Sequence, residues 1–232
     1  MPVAQPTLVV IAGPNGSGKT TLTNRLRSLG LDFGEYINAD EIALTLSAGE
    51  QRDARAQQIA NHRRDVCFRE RRSFAFETVM SHPSKIDEMR AAKAAGYQLV
   101  FIGVALQEPE LSVQRVALRV SEGGHDVPED RIIARYHRTL ALMPEAIGLA
   151  DRALLFDNSD SDAGPMLCLS TTRRNDDNAD SAIAVQIEPM VYLYRDHWVR
   201  KIVINLNKMH DDGRVILRPR PSLDLPKVTV QF

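Results

Sequence analysis

The sequence predicts an α/β fold in which helices cover both faces of a parallel β-sheet, with a helical lid and a C-terminal appendage. Apolar, strand-like runs alternate with helical patterns as far as residue 157, which is typical of parallel sheets. The first apolar run leads directly into a glycine-rich loop, and a helical pattern follows that loop. Open parallel sheets bind ligands outside the carboxyl ends of their strands, so we expect the functional site there.

The predicted strands are apolar runs at 7–12, 35–39, 73–77, 98–106 and 152–157. The predicted helices lie between them, at about 19–30, 50–72, 83–96, 109–121 and 128–149. Past Asn158 the sequence turns to loop-forming residues, and we divide the chain there into a main domain, 1–159, and an appendage, 160–232, with no assigned chemistry. Within the appendage, Trp198 is interpreted as a packing residue.

The composition is that of a globular protein without a strong charge. Of its 232 residues, 44% are apolar and 25% are charged, and the net charge is −1. A nucleic-acid partner is therefore not expected, nor is a membrane surface. Cys67 and Cys168 stand far apart without a paired partner, which fits a reducing compartment. With no signal-peptide pattern and no apolar run of about 20 residues, we expect a cytoplasmic protein.

The loop at residues 13–20 reads Gly-Pro-Asn-Gly-Ser-Gly-Lys-Thr and matches the phosphate-binding pattern G-x-x-x-x-G-K-[ST] of P-loop NTPases. Backbone N–H groups and the following helix N-terminus would hold a polyphosphate, Lys19 would reach its β- and γ-phosphates, and Thr20 would bind Mg²⁺. The alternative is a chance glycine-rich turn. We predict ATP and Mg²⁺ as cofactors, with the nucleotide bound by Gly13, Pro14, Asn15, Gly16, Ser17, Gly18, Lys19, Thr20 and Thr21.

Acidic residues stand at the carboxyl ends of the second and third predicted strands. Asp40 stands where a carboxylate could accept the proton of a hydroxyl that attacks the γ-phosphate, although it would also serve as a helix N-cap. Glu77 stands at the matching end of the third strand, where an acid would orient Mg²⁺ and its water shell or bind a substrate hydroxyl; the alternative is a structural cap or a surface role. Thr78 continues the same rim and is a further candidate for substrate binding.

A lid is predicted where two helices meet at a glycine pair. Arg115 and Arg119 share one helix face, and Gly123-Gly124 and Pro128 separate that helix from the next one. Arginines that arrive with a closing lid stabilise the charge on a transferring phosphoryl group and exclude water. We therefore predict catalytic roles for Arg115 and Arg119, against the alternative of a solvated face.

Other basic residues, and the amide side chain after the last predicted strand, give a less specific indication of function. Arg131 and Arg138, in the second lid helix, are interpreted as solvated. The predicted helix at 52–72 carries seven arginines, and we favour a solvated face over a nucleic-acid patch because aromatic residues are not interleaved with them. Asn158, after the last predicted strand, would either contact the nucleotide base or form a turn.

Together these segments resemble the zeta-toxin-like P-loop kinases, in the branch often labelled predicted ABC-type ATPases. The resemblance covers roughly residues 5–160. Besides the phosphate loop, it is carried by Asn38–Glu41, Phe74–Thr78, Arg115–Val120, Gly123–Pro128 and Phe156–Ser159. A true ABC ATPase would need a catalytic Glu where this chain has Asn158, so the kinase interpretation is preferred.

The resemblance implies an activity and site residues. Zeta toxins are kinases of toxin–antitoxin systems, and the best-studied members phosphorylate the 3′-hydroxyl of the sugar in UDP-N-acetylglucosamine. By resemblance Asp40 is the catalytic base, Lys19 the loop lysine and Glu77 a substrate-binding acid, and Arg115 or Arg119 takes the first lid-arginine position. His125 stands where zeta toxins proper have an arginine and is included among the substrate-binding candidates.

The predicted function is an ATP-dependent small-molecule kinase of zeta-toxin type, with UDP-N-acetylglucosamine as a candidate acceptor and an antitoxin protein as a candidate partner. The alternative is a nucleotide-dependent ATPase or switch that acts on a protein partner. A kinase of nucleic-acid ends is disfavoured by the nearly neutral net charge.

Overall fold

A computed structural model of the chain describes residues 5–47, 49, 51–124, 126–174, 181–188, 190–193, 196–218 and 220–223. The strands are β1 (Thr7–Ala12), β2 (Glu35–Ile37), β3 (Phe74–Thr78), β4 (Gln98–Ala105), β5 (Arg152–Asp157), β6 (Met166–Arg174) and β7 (Ala182–Ile187). The helices are α1 (Lys19–Ser28), α2 (Ala39–Leu44), α3 (Arg52–Arg69), α4 (Ser84–Ala94), α5 (Pro109–Ser121), α6 (Glu129–Leu149), α7 (Met190–Leu193) and α8 (Trp198–Asp211).

The seven strands form one sheet in the order β2-β3-β1-β4-β5-β6-β7. The pairings among β1 to β5 are parallel, which confirms the predicted parallel sheet of the P-loop NTPase type for that part. The β5–β6 and β6–β7 pairings are antiparallel, so the whole sheet is mixed. A turn of eight residues joins β5 to β6, which is too short for the crossover that a parallel neighbour would need.

Side chains alternate between two apolar layers, one on each face of the sheet. Val9 and Ile11 pack with Leu22 of α1 on one face. Leu8 and Val10 point to the other face, where the main core also takes in residues of α3, α4, α6 and α8. The predicted helices on both faces are thereby confirmed.

The sheet continues beyond the predicted division at residue 160, because β6 pairs directly with β5. The indole of Trp198, at the start of α8, is 1% exposed and belongs to the main core, which confirms its interpretation as a packing residue. The division into a kinase domain, 1–159, and an appendage, 160–232, stays a prediction. No helix in the described part of the chain has the length and apolar character to cross a bilayer.

Two local differences from the predicted elements concern the site. The strand expected at 35–39 ends at Ile37, and the short helix α2 begins at Ala39. The side chain of Asn38 caps this helix by accepting a 2.9 Å hydrogen bond from the backbone N–H of Asp40. The alternative role of Asp40 as the N-cap is therefore wrong, and its carboxylate does not cap the helix.

Candidate active site

The glycine-rich loop turns sharply between β1 and α1. Gly16 and Gly18 have φ angles of 71° and 84°, in the left-handed region that favours glycine. A Cβ atom on Gly16 would lie 2.9 Å from the carbonyl oxygen of Ser112 in α5, so the loop and the first lid helix touch through backbone. Gly18 is the N-cap of α1, a helix of ten residues. The N-terminus of this helix therefore points at the loop, as is typical of anion-binding sites.

A cavity of about 1030 Å³ opens at the carboxyl ends of the parallel strands. The structure brings most of the sequence-predicted residues together there: the cavity is lined by Asn15, Gly16, Gly18, Lys19, Thr20, Thr21, Asp40, Glu77, Thr78, Arg115 and Arg119. Gly13, Pro14 and Ser17 of the predicted nucleotide-binding set do not line it. His125 lies outside the described residues. The glycines admit a polyphosphate against the loop backbone, so the residues present fit a nucleotide.

Glu77 is held by three hydroxyl groups from two elements. Its Oε2 accepts a 2.8 Å hydrogen bond from Thr20, and its Oε1 lies 2.8 Å from the hydroxyl of Thr23 and 2.6 Å from that of Tyr36. Tyr36 in turn accepts a hydrogen bond of 3.1 Å from Nδ2 of Asn38. The acid at the end of β3 is therefore fixed against the first turns of α1, beside Thr20.

Lys19 folds back over its own loop. Its Nζ donates hydrogen bonds of 2.9 Å and 3.0 Å to the carbonyl oxygens of Gly13 and Pro14. Removal from water lowers the pKa of Lys19, while the negative charges of Glu77 and Asp40 act in the opposite direction. The ammonium group thus lies within the field of both strand-end acids.

Asp40 is exposed and lines the cavity from the second position of α2. The capping bond of Asn38 fixes the start of this helix, so Asp40 projects from a defined backbone. Its carboxylate contributes to the electrostatic environment of Lys19. The strand-end acid and the loop lysine are therefore neighbours, as expected from the meeting of β1, β2 and β3 at one edge.

Three arginines of the lid helices line the cavity. Arg115 donates a 3.3 Å hydrogen bond to the carbonyl oxygen of Ser159, and the charge of Arg119 acts to lower the pKa of Lys19. Arg135, in α6, reaches the loop, with its Nη1 3.5 Å from Oδ1 of Asn15. Arg131 and Arg138 are exposed and do not line the cavity, which agrees with their interpretation as solvated.

Arg135 was not predicted as a site residue from the sequence, although the polar residue four positions later, Thr139, indicates which way it faces. Thr139 is fully buried on an otherwise apolar face, and its hydroxyl donates a 2.7 Å hydrogen bond to the carbonyl oxygen of Val79, just after β3. Residues four apart share a helix face, so a polar Thr139 facing the strand ends also turns Arg135 toward them.

The far side of the cavity is formed by α3 and α4, and it is polar. Arg64 is 8% exposed, which makes the predicted solvated face wrong at this position. It continues the row of Ala56 and Ala60 that packs on the sheet, and its guanidinium lies 4.7 Å from the centre of the Phe76 ring. Arg64 Nη2 lies 3.7 Å from Oε1 of Glu88, which also binds Lys85 at 2.5 Å.

Asn158 contacts the loop by its side chain. Its Nδ2 donates a 2.9 Å hydrogen bond to the carbonyl oxygen of Ser17, and its backbone N–H donates to Ala105 at the end of β4. The expected turn is present, because the backbone N–H of Ser159 donates to Oδ1 of Asp157, whereas the contact with Ser17 was not expected. Within the described residues, no cluster of three or more His, Cys, Asp or Glu side chains could hold a metal ion. Thr20 and Glu77 are the residues that fit Mg²⁺, which in kinases is held largely by phosphates and water.

Comparison with known proteins identifies relatives of most of the chain. The family model described as Zeta toxin matches residues 1–158. An uncharacterized protein of Haemophilus influenzae strain Rd is 30% identical over 137 residues, which is 58% of this chain and 95% of that protein.

Solved structures with the same fold include a two-protein complex and a toxin–antitoxin system. The crystal structure of AvrRxo1-ORF1:-ORF2 with ATP is similar with a TM-score of 0.56 and 18% identity over 72% of this chain, and the chain spans 59% of that one. The PezAT chromosomal toxin–antitoxin system of Streptococcus pneumoniae is similar with a TM-score of 0.50 and 16% identity over 71% of each chain. At such identities these likenesses establish the α/β fold and no more.

Proposed function

The chain belongs to the zeta toxin family and is therefore an ATP-dependent kinase of the zeta-toxin type, and we propose that it transfers the γ-phosphate of ATP to a hydroxyl group of a small polar molecule. One observation carries this proposal. A single cavity has the phosphate loop at one side, polar side chains of α3 and α4 at the other, and Asp40 on its lining. Donor and acceptor would meet beside that carboxylate.

The donor side would be held by the loop and Lys19. The ammonium group now bonded to the carbonyl oxygens of Gly13 and Pro14 would turn to the β- and γ-phosphates when a nucleotide is bound. Thr20 and Glu77 would hold Mg²⁺, which neutralises charge on the phosphates. The bond from Thr20 to Glu77 favours this role of Glu77 over direct binding of a substrate hydroxyl.

Asp40 would act as the general base. Its carboxylate is exposed to the cavity, so it could accept the proton of an acceptor hydroxyl as that oxygen attacks the γ-phosphate. Arg115, Arg119 and Arg135 would surround the transferring group from the lid side and stabilise its negative charge. Arg135 joins this set because it reaches Asn15 of the loop.

The acceptor would be an anionic, hydroxyl-bearing molecule such as UDP-N-acetylglucosamine. Arg64 and Lys85 line the far side of the cavity with Glu88, which lies near both, and with Asp65, so the formal charges there balance. A diphosphate could accept hydrogen bonds from Arg64 and Lys85, and hydroxyl and amide groups suit Asn61 and Gln57, which line the same side. Thr78 and His125 stay further candidates for acceptor binding.

A protein partner and a cytoplasmic location are parts of the same proposal. PezAT is a toxin–antitoxin system, and AvrRxo1-ORF1 is in a complex with ORF2, so an antitoxin that blocks the cavity is the partner we propose. Both cysteines of the chain are free and buried, which suits a reducing compartment.

The test is transfer from labelled ATP to a panel of UDP-sugars, free sugars, nucleosides and oligonucleotides. We expect label in a nucleotide sugar with the unmodified chain, and no transfer with Asp40→Asn at an unchanged dissociation constant for ATP. Steady ATP hydrolysis without label in any hydroxyl acceptor would instead favour the ATPase or switch. Full transfer by Asp40→Asn would contradict the role of that carboxylate while leaving the kinase assignment intact.

A further inference from the structure

Two neighbouring side chains from beyond the family match reach the end of β5. The indole Nε1 of Trp198 donates a 2.6 Å hydrogen bond to Oδ2 of Asp157, and Nε2 of His197 lies 3.5 Å from the same oxygen. His197 also caps α8, because its Nδ1 accepts a 3.3 Å hydrogen bond from the backbone N–H of Val199. All three side chains, Asp157, His197 and Trp198, are buried.

The carboxylate of Asp157 joins this pair to the turn that follows β5. Its second oxygen, Oδ1, accepts a 2.8 Å hydrogen bond from the backbone N–H of Ser159. A buried carboxylate is stable only when donors surround it, so the orientation of Asp157 depends on the groups that donate to it. Trp198 supplies one of these donors from outside the strand–turn segment.

The same turn holds the phosphate loop. Asn158, between the two bonded residues, donates from Nδ2 to the carbonyl oxygen of Ser17 at 2.9 Å. It also lies directly against the next loop residue, since a Cβ atom on Gly18 would be 2.3 Å from that Nδ2. A small shift of the turn would therefore move a side chain that is in contact with the loop.

A second connection runs from the same C-terminal segment to the end of β4. Gln107 donates from Nε2 to the carbonyl oxygen of Asp196 at 2.8 Å, and its backbone N–H donates to Oγ of Ser159 at 2.7 Å. The carbonyl of Ser159 in turn accepts from Arg115 of the lid. Residues 196–198 thus contact both the segment after β4, through Gln107, and the end of β5, through Asp157.

We propose that Trp198 is a positioning residue of the nucleotide site, which sets the affinity for ATP by fixing Asp157 and thereby holding Asn158 on the phosphate loop. Residues after the family match would then be part of the machinery that binds the nucleotide. The inference rests on the nucleotide-binding half of the proposed function, and it is independent of which acceptor is phosphorylated.

The test is a double-mutant cycle with binding of MgATP as the readout. Trp198→Phe removes the indole donor but keeps a buried ring, and Asn158→Ala removes the contact with Ser17. We expect each to raise the dissociation constant roughly three- to thirtyfold. The double variant should bind like Asn158→Ala alone, within about twofold, because Trp198 acts through Asn158.

A matched control separates positioning from general destabilisation. Ile202→Val trims a buried side chain of α8 that takes no part in the Asp157 contacts, so it should lower the melting temperature without changing the dissociation constant. If Trp198→Phe does not fold, Asp157→Asn replaces it in the same cycle, since the amide keeps the shape of the side chain but loses its charge.

The outcomes are distinguishable. A dissociation constant of Trp198→Phe within about twofold of the unmodified chain, or additive effects in the double variant, would overturn this inference and leave the kinase proposal standing. Failure of the unmodified chain to bind MgATP at all would overturn both.

Discussion

The phenol of Tyr36 donates a 2.6 Å hydrogen bond to Oε1 of Glu77, which couples the edge strand β2 to the acid at the end of β3. Burial and the negative charge of Glu77 raise the pKa of Tyr36, so the phenol stays protonated and acts as a donor at physiological pH. The other oxygen of Glu77 accepts from Thr20 of the loop. Glu77, which would hold Mg²⁺, is therefore fixed from two directions, by Thr20 of the loop and by Tyr36 of β2.

This arrangement predicts that Glu77→Gln raises the Mg²⁺ requirement. The amide cannot accept from Thr20, Thr23 and Tyr36 as the carboxylate does, and it carries no charge to attract the cation. We expect the Mg²⁺ concentration for half-maximal transfer to rise by about tenfold, equivalent to about 1.4 kcal/mol. Tyr36→Phe keeps the carboxylate and is the control, with a smaller rise. An unaltered Mg²⁺ titration of Glu77→Gln would argue against the proposed metal position.

The contact between Arg135 and Asn15 predicts a lid arginine that matters for the chemical step. Arg135→Ala should lower kcat roughly a hundredfold, because a positive charge near the transferring phosphoryl group is lost. Arg138→Ala removes an exposed arginine of the same helix and should leave kcat unchanged. Steady-state kinetics at saturating ATP compares the two variants. Equal rates for both would mean that Arg135 serves the loop only structurally.

The approach of α5 to the loop predicts that Gly16→Ala abolishes nucleotide binding. An added Cβ would meet the Ser112 carbonyl at 2.9 Å and the Cβ of Arg115 at 3.2 Å. Gly30→Ala is a matched control, since Gly30 also has a positive φ, 86°, but nothing lies within 4 Å of its added Cβ. Both variants should lose about 1 kcal/mol of unfolding free energy from backbone strain. Calorimetric titration with MgATP should detect binding to Gly30→Ala and none to Gly16→Ala.

The hydrogen bonds and ion pairs of Glu35 predict that it stabilises the fold at neutral pH and that this stabilisation is lost in acid. Burial opposes its ionisation, but hydrogen bonds from Arg63, Cys67 and Arg72 outweigh it and hold the pKa of Glu35 below its usual value of 4.5. A carboxylate with a lowered pKa stabilises the fold fully above the unfolded value, and this stabilisation is lost as the pH falls through the folded value. Glu35→Gln should therefore lower the free energy of unfolding at pH 7 by about 1 kcal/mol.

Urea unfolding at several pH values checks this prediction. The difference between the unmodified chain and Glu35→Gln should shrink as the pH is lowered below 4.5. A difference that is constant between pH 7 and the acid range would show that the carboxylate contributes through its shape and not through its charge.

The parts of the site that could be predicted from sequence are those set by local rules. The phosphate loop is contiguous in sequence, Asp40 and Asn158 come just after strands, and Glu77 lies near the end of one, so topology brings them to one edge. Arg115 shares a helix with Arg119 and needed only helical periodicity. For these residues, correct strands and helices suffice to place the side chains near the loop, whereas their chemical roles stay proposals.

The missed residues depend on packing between distant elements. Arg64 is one of seven arginines in its segment, and only the orientation of α3 on the sheet distinguishes it from the exposed Arg55 and Arg69. Likewise, β6 follows a turn of polar residues and pairs with β5, although its own pattern gave no strand prediction. Trp198 was recognised as a packing residue, but its partner Asp157 lies 41 positions earlier, beyond the reach of any local pattern.

The tryptophan at the start of α8 also gives the protein a natural optical probe. The chain contains a single tryptophan, so its ultraviolet emission comes from one known position. That indole is shielded from solvent and bonded to Asp157, next to the residue that contacts the loop. We therefore expect its emission to change when a ligand displaces that carboxylate, which would allow unlabelled ligands to be screened by intrinsic fluorescence without a dye or a change to the native sequence.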